Sequence, residues 1–338
     1  MPPEWAPHQA TWFSWPHNPE TWPGCLEDAE RAMAAAVRAL ADGETVYVNV
    51  LDAAHGEHVK ALLDSVVGGV SGDRVHLVEI PTNDAWCRDH GAIFVHDELG
   101  ELCALDFRFN AWGGQYPPYD LDDAAAARMA GHLGVASVAV DMVLEGGSID
   151  VNGRGAVLTT RQCLLNENRN PRLTPAQIEH ALEVHLGASQ VIWLGDGIEG
   201  DDTDGHIDDI TRFVAEDTVV TALEPDRTDP NHAPLAANLE TLRGVRLADG
   251  RRLRIETLPM PEPLERDGRR LPASYANFYI GNEVVLLPVF GCPQDDEAAR
   301  VLNACFPARR IVPIDCRAVV VGLGTLHCLS QQVPAPEN

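Results

Sequence analysis

The sequence predicts an α/β chain in which five like units close around an axis as the blades of a propeller, forming one domain over residues 1–338. Three observations predict it. A helix-then-strand pattern recurs along the chain, a polar glycine-containing segment followed by a second β run comes after each strand, and no low-complexity linker divides the sequence. Units of this kind cannot bury their apolar faces singly, so they pack against one another around an axis.

The first helix is DAAHGEHVKALLDSV (52–66), followed by the strand RVHLVEIP, the polar segment NDAWCRDHG and the run AIFVH. The second is DLDDAAAARMAGHLG (120–134), then ASVAVDMV, the turn EGG and GAVLTT. Next come LTPAQIEHALEVHLG (173–187), SQVIWLG, GDGIEGDDTDGHIDD and ITRFVA. The fourth unit runs NHAPLAANLETLRG (231–244), LRIETLP, SYANFYIGN and EVVLLPV. The fifth has QDDEAARVLNACF (294–306), RRIVPID and GTLHCLSQQ, with its second strand in VVVGLG or in the segment beyond. The helices carry apolar residues three and four apart and several close on glycine; the strands are rich in β-branched residues. Strand starts near Val75, Val138, Val191, Leu253 and Ile311 repeat at about 53 to 63 residues, just above the usual range of repeat proteins. A doubly wound sheet is the competing fold, but no GxGxxG turn follows the first strand, which disfavours a dinucleotide-binding version. The basic stretches DGRRLRIE and PMPEPLERDGRRLP read as a solvated loop, and the closing PAPEN as frayed.

Composition narrows the function. Twenty-five basic against 51 acidic side chains give a net charge of -26. That excess repels nucleic acid and anionic membrane surfaces and suits a cationic ligand as well as solubility. The start, MPPEWAPHQATWFSWP, lacks a basic region followed by an apolar one, and no apolar run approaches the roughly 18 residues that span a bilayer. A cytoplasmic protein is expected. Eight cysteines without a CxxC pair read as reduced thiols rather than a disulfide framework or zinc cage.

The polar segments hold the reactive residues: Asp84, Trp86, Arg88 and Asp89 in the first, Glu145 in the second, Asp202, His206 and Asp208 in the third, Asn277 in the fourth and Cys328 in the last. If five units ring an axis, these side chains converge. A thiolate nucleophile, a histidine that moves protons, and carboxylates that hold a cation then form one pocket. Two other readings compete. A metal-dependent hydrolase would use Asp201, Asp202, Asp204, His206 and Asp208, although one histidine without HxH or HExxH falls short of the usual nitrogen donors. An acidic, non-catalytic propeller would bind cationic peptides and leave Cys328 dispensable.

PPEWAPHQATWFSWPHNPETWPG, TNDAWCRDHGAIFV, LEGGSIDVNGRGAVLTTRQCLLNENRNP, WLGDGIEGDDTDGHIDDITRFV and GTLHCLSQQVPAP together span almost the whole chain. Through them the sequence resembles the agmatine deiminase family, relatives of the bacterial peptidylarginine deiminases among the guanidine-modifying enzymes. The resemblance implies a pentein-type α/β-propeller of five pseudo-symmetric blades. It also implies a cofactor-independent hydrolase of linear amidines, without a metal, that acts in putrescine and polyamine biosynthesis. Its catalytic set falls on Cys328 as nucleophile, His206 as acid and then base, and Glu145 as the partner of His206. Asp89 and Asp208 grip the guanidinium, Trp86 walls it, and Asp202 and, more weakly, Trp5 fall at the far end of the substrate. In the family a glycine triplet precedes the HC pair and a proline follows WxRDxG; here Gly322 to Thr325 reads GLGT and Ala92 stands at the proline position.

The function expected is therefore hydrolysis of agmatine, a small cationic guanidine, to N-carbamoylputrescine and ammonia, with peptidyl or free arginine as the alternative substrate. No arginine is obviously placed for an α-carboxylate, Arg88 and Arg161 being weak candidates. No nucleic acid or membrane partner is expected, and a homo-oligomer is left open.

Overall fold

The computed structural model describes residues 1–65 and 73–336, so Val66 of the first predicted helix and the last two residues of PAPEN lie outside the described residues. It is a mixed α/β fold in which five sheets repeat one plan. Strands β1 (His8–Ser14), β2 (Thr45–Val50) and β3 (Val75–Glu79) form the first sheet. The second holds β4 (Ile93–His96), β5 (Leu102–Arg108) and β6 (Ala136–Val143); the third holds β7 (Asp150–Val151), β8 (Ala156–Thr160) and β9 (Gln190–Leu194). The fourth holds β10 (Thr211–Ala215), β11 (Thr218–Leu223) and β12 (Arg254–Pro259). A two-residue hairpin, β13 (Glu265–Arg266) with β14 (Arg269–Arg270), precedes the fifth sheet of β15 (Tyr279–Ile280), β16 (Val284–Val289) and β17 (Arg310–Asp315). The last strand, β18 (Ser330–Pro334), returns to pair antiparallel with β1.

In sheets two to five the first pair is antiparallel and the second parallel, as in β15–β16 and β16–β17. A short turn suffices for the antiparallel pair, whereas the parallel pair requires a crossover, which the predicted helix supplies. The helix Pro175–Leu186 shows how sequence sets the limits: Thr174 and Gln177 form a capping box, Pro175 opens the first turn, and Gly187 closes it at φ 72°. Central strands are covered on both faces, so β8 is buried throughout and β16 nearly so.

All five predicted helical segments are helical, and all five following strands form, the second segment as two helices broken at Ala124. The phase of the repeat differs from the sequence reading. Sheets two to five each run strand, strand, helix, strand, and the first sheet adds a second helix and strand to that plan, so the polar segment after each predicted strand leads into the next sheet instead of staying within one. Local periodicity finds elements, but sheet membership depends on pairing between distant residues. VVVG is a 3-10 turn (Val319–Gly322), and the final strand lies beyond it. The basic loop contains the β13–β14 hairpin, turned by Asp267 and Gly268 at φ 53° and 75°, the left-handed pair that a two-residue hairpin requires. Pro334 belongs to β18, and Ala335 donates to the Pro7 carbonyl at 2.8 Å. No helix among the described residues is long and apolar enough to cross a membrane.

Candidate active site

Five connectors, each joining one sheet to the next, bring the reactive side chains together. The first carries Trp86 and a helical turn, Cys87–His90, that buries Arg88 and Asp89. The Arg88 amide donates to the Cys328 carbonyl at 3.0 Å, which ties the first connector to the last. In the second, the turn Gly146–Ser148 follows Glu145, and the Gly147 amide donates to Asp89 Oδ1 at 2.9 Å. A Cβ at Gly147 would lie 2.6 Å from His206 Nδ1, 2.8 Å from Asp89 Oδ1 and 3.1 Å from Asp208 Oδ2. Glycine here is what permits the three groups to meet.

The acidic third connector is held partly by its own amides and partly by side chains from outside it. Asp201 accepts from the amides of Thr203, Gly205 and His206, Asp204 accepts from Arg169 at 2.6 Å, and Asp202 accepts from the Tyr116 hydroxyl. Asp208 Oδ2 lies 2.6 Å from His327 Nδ1, while its Oδ1 has no hydrogen-bond partner. The set Asp201, Asp202, Asp204, His206 and Asp208 therefore does not converge as metal donors. The groups whose potential ligand atoms do lie within 4.8 Å are Glu145, Cys163 and His206, and Asp208, Asp209 and Cys328, among the described residues.

The fourth connector supplies Asn277. Its Nδ2 donates to Cys328 Sγ at 3.0 Å, and its Oδ1 accepts from Thr325 Oγ1 at 2.8 Å and the His327 amide at 3.1 Å. That clamp fixes the fifth connector, where Cys328 Sγ lies 3.6 Å from Asp208 Oδ2. Leu323 sits there at φ 72°, a left-handed conformation that costs a side-chain-bearing residue about 1–2 kcal/mol. Ala111 and Trp112, across the same cavity, are also left-handed, at φ 51° and 54°. Such strain gathers where a fold holds a site in shape.

A cavity of about 520 Å³ opens here, within the range of small-molecule sites, lined among others by Cys328, Asp89, Trp86, Trp112, Asp202 and Leu323. Among the described residues no Lys, Arg or His side chain lines it. Trp112 Nε1 donates to Asp89 Oδ2 at 3.0 Å, and Trp22 backs Trp86 with ring centroids 5.5 Å apart. His206, Asp208 and Glu145 are fully buried and do not line the cavity; His206 Nδ1 lies 3.8 Å from Asp89 Oδ1. Glu145 Oε1 accepts from Arg169 Nε at 2.6 Å, and its Oε2 has no hydrogen-bond partner. Trp5 lies away from this cavity, beside Glu4 and Arg88 in a separate void of about 20 Å³. Arg88 is buried against Glu4 and Gln332, and Arg161 covers the Trp193 ring.

The electrostatics follow from burial and from one another. Burial, then Asp208 and Glu145, push Asp89 up to about 6 against the opposing pull of His206. Burial alone would lower His206, but Asp89 first, then Cys163 and Asp208, outweigh it and raise the imidazole well above its ordinary value. Burial would raise Asp208, yet His327 chiefly keeps it below the usual carboxylate range. Burial, with Asp208, Asp209 and Asp89, raises the Cys328 thiol well above its ordinary value. An arriving cation offsets those three carboxylates, so the thiolate is favoured when the cavity is filled.

Sequence reasoning missed Arg169, Trp112 and the side-chain roles of Glu4 and His327. Arg169 and Glu4 do fall within the motif stretches NENRNP and PPEWAPH, which is the signal that could have found them.

The family model described as Porphyromonas-type peptidyl-arginine deiminase matches residues 1–334. An agmatine deiminase of Ectopseudomonas mendocina (strain ymp) is 39% identical over 361 residues, covering 100% of this chain and 96% of the relative. The solved agmatine deiminase of Enterococcus faecalis superimposes with a TM-score of 0.93 at 32% identity, over 99% of this chain and 95% of that one. A cysteine-to-serine variant of C. jejuni agmatine deiminase with substrate bound gives a TM-score of 0.89 at 34% identity, over 99% and 96%.

Proposed function

The chain belongs to the Porphyromonas-type peptidyl-arginine deiminase family, and from that premise we propose that it is an agmatine deiminase, hydrolysing agmatine to N-carbamoylputrescine and ammonia. The observation that carries the substrate choice is the lining of the cavity. A thiol and carboxylates face it, and among the described residues no cationic side chain does. Agmatine brings a guanidinium and an ammonium to these walls. The α-carboxylate of free arginine would meet Glu20, Asp84, Asp122 and Asp202 with no cation to receive it.

In this reading Asp89 and Asp208 hold the guanidinium nitrogens by charge-assisted hydrogen bonds. Each is anchored from behind, Asp89 by Trp112 and Gly147 and Asp208 by His327. Trp86 covers the planar cation and Asp202 receives the far ammonium. Cys328 Sγ attacks the guanidinium carbon, and the tetrahedral adduct forms with one new C–S bond. His206, raised in pKa and hence protonated, gives its proton to the departing nitrogen, which leaves as ammonia. The remaining amidino thioether is attacked by water, one of whose protons returns to His206; the C–S bond then breaks, and the second proton passes to the departing Cys328 sulfur as the ureido product forms. Glu145, held by Arg169, supplies negative charge beside the imidazole.

The same reading arranges the five sheets as blades around one axis in a single catalytic domain. The meeting of all five connectors around the catalytic groups and the return of β18 to β1 support that arrangement. Eight free cysteines fit a reducing cytoplasm, where a nucleophilic thiol persists. Putrescine biosynthesis is the corresponding physiological role.

The test is ammonia release from agmatine, arginine and an arginyl peptide side by side, using wild type and Cys328→Ser. Agmatine is expected to exceed arginine in kcat/KM by about a hundredfold or more, the scale of an unpaired buried charge. Cys328→Ser is expected to lose at least about a thousandfold in kcat. Preference for the peptide would overturn the substrate assignment, and near-normal turnover by the serine variant would overturn the mechanism.

A further inference from the structure

The segment ahead of β1 reaches buried residues beside the catalytic groups. Glu4 is buried, with Oε1 accepting from the Ile280 amide at 2.9 Å and lying 2.9 Å from Arg212, and Oε2 3.2 Å from Arg88 Nη2 and 2.8 Å from His327 Nε2. The other nitrogen of that ring, His327 Nδ1, is 2.6 Å from Asp208 Oδ2. A neutral imidazole donates from one nitrogen and accepts at the other, and a carboxylate can only accept. An imidazole with a carboxylate on each nitrogen is satisfied in one state, doubly protonated and positive. The surrounding charges agree. Arg212 Nε pairs with Asp150 Oδ2 at 2.6 Å, so Glu4, Asp150 and Asp208 face Arg88, Arg212 and His327. These six buried groups balance only when the His327 ring is charged.

We propose that Glu4 and His327 form a positioning pair for the substrate-gripping carboxylate. Glu4 holds the His327 ring as an imidazolium, and that ring fixes Asp208 in its ionised form with Oδ1 turned free for the guanidinium. The proposal rests on the reading that Asp208 grips the substrate. It also gives the first residues of the chain a part in the site that rests on a contact formed only by folding, since Glu4 and His327 lie 323 positions apart. Neither residue touches the substrate; both act through Asp208. Arg88, which donates to the His327 carbonyl from Nε at 3.3 Å and to Gln332 at 2.6 Å, secures the other end of the pair.

Two measurements test it. The first needs no variant: nitrogen NMR of histidine-labelled wild-type protein at neutral pH is expected to show both His327 ring nitrogens protonated. An acceptor-type nitrogen in that ring would overturn the proposal. The second is the kinetics of Glu4→Gln, which keeps the side-chain shape and removes the charge. The KM for agmatine is expected to rise about tenfold with kcat within about threefold, the pattern of lost ground-state binding. A folded variant with wild-type KM would overturn the proposal even though turnover persisted. If the variant does not fold, the NMR measurement on wild type decides alone. Ammonia release from agmatine by wild type stands as the separate control: its absence would remove the functional reading and leave the ring-nitrogen result to judge the charge of His327.

Discussion

Asp89 can hold a cation only as a carboxylate, and its neighbours set the pH at which it becomes one. Burial raises it most, Asp208 and Glu145 add to the rise, and His206 opposes them, leaving the group near about 6. Above that value the carboxylate is charged; below it the protonated form cannot pair with the guanidinium. We therefore predict that kcat/KM for agmatine falls as pH drops through about 6, approaching about tenfold per unit below it. A profile flat from about pH 5 to 7 would contradict the assignment of Asp89 to the grip. Residues of this kind were legible in the sequence because reactive types stood out within polar, glycine-containing segments: Cys328, His206, Asp208, Asp89, Glu145 and Asn277 all lie on connectors. Arg169 and Trp112 were not assigned, because each acts through a contact set by folding: Arg169 through Glu145 and Trp112 through Asp89, 24 and 23 positions away. No periodicity reports such pairs.

At the scale of elements, the connectors work because glycine lets backbone approach side chain. Gly147 is the sharpest case, its missing Cβ leaving room for His206, Asp89 and Asp208 at once. We predict that Gly147→Ala lowers kcat/KM at least about a hundredfold, since displacement of about 1 Å suffices for such a loss. Far-UV circular dichroism is expected to stay unchanged, and a variant of near-normal activity would contradict the close approach. The helices and the strands that follow them were legible from 3.6-residue spacing and β-branched runs. The grouping of strands into sheets was not. The fully buried β8 carries no alternation of faces, and β7 and β15 are two residues long. The return of β18 to β1 joins residues at opposite ends of the chain, as with Phe13 opposite Ser330, a pairing that local pattern cannot specify.

At the scale of the molecule, a net charge of -26 surrounds a cavity whose lining carries no cationic side chain among the described residues. A substrate with two positive charges is drawn in by that field, and dissolved ions screen it. Raising salt from about 0.05 to 0.5 M is expected to reduce kcat/KM for agmatine several-fold, chiefly through substrate capture. Indifference to salt would assign the charge to solubility alone. The central claim is that the Cys328 sulfur bonds covalently to the carbon of a guanidine held by carboxylates from other connectors. Acid quenching during turnover, followed by mass spectrometry of the peptide containing Cys328, tests it most directly. A peptide heavier by agmatine less ammonia is expected, present with wild type and absent from Cys328→Ser. An unmodified Cys328 peptide during steady turnover, with the adduct on another residue or on none after rapid quenching, would contradict it.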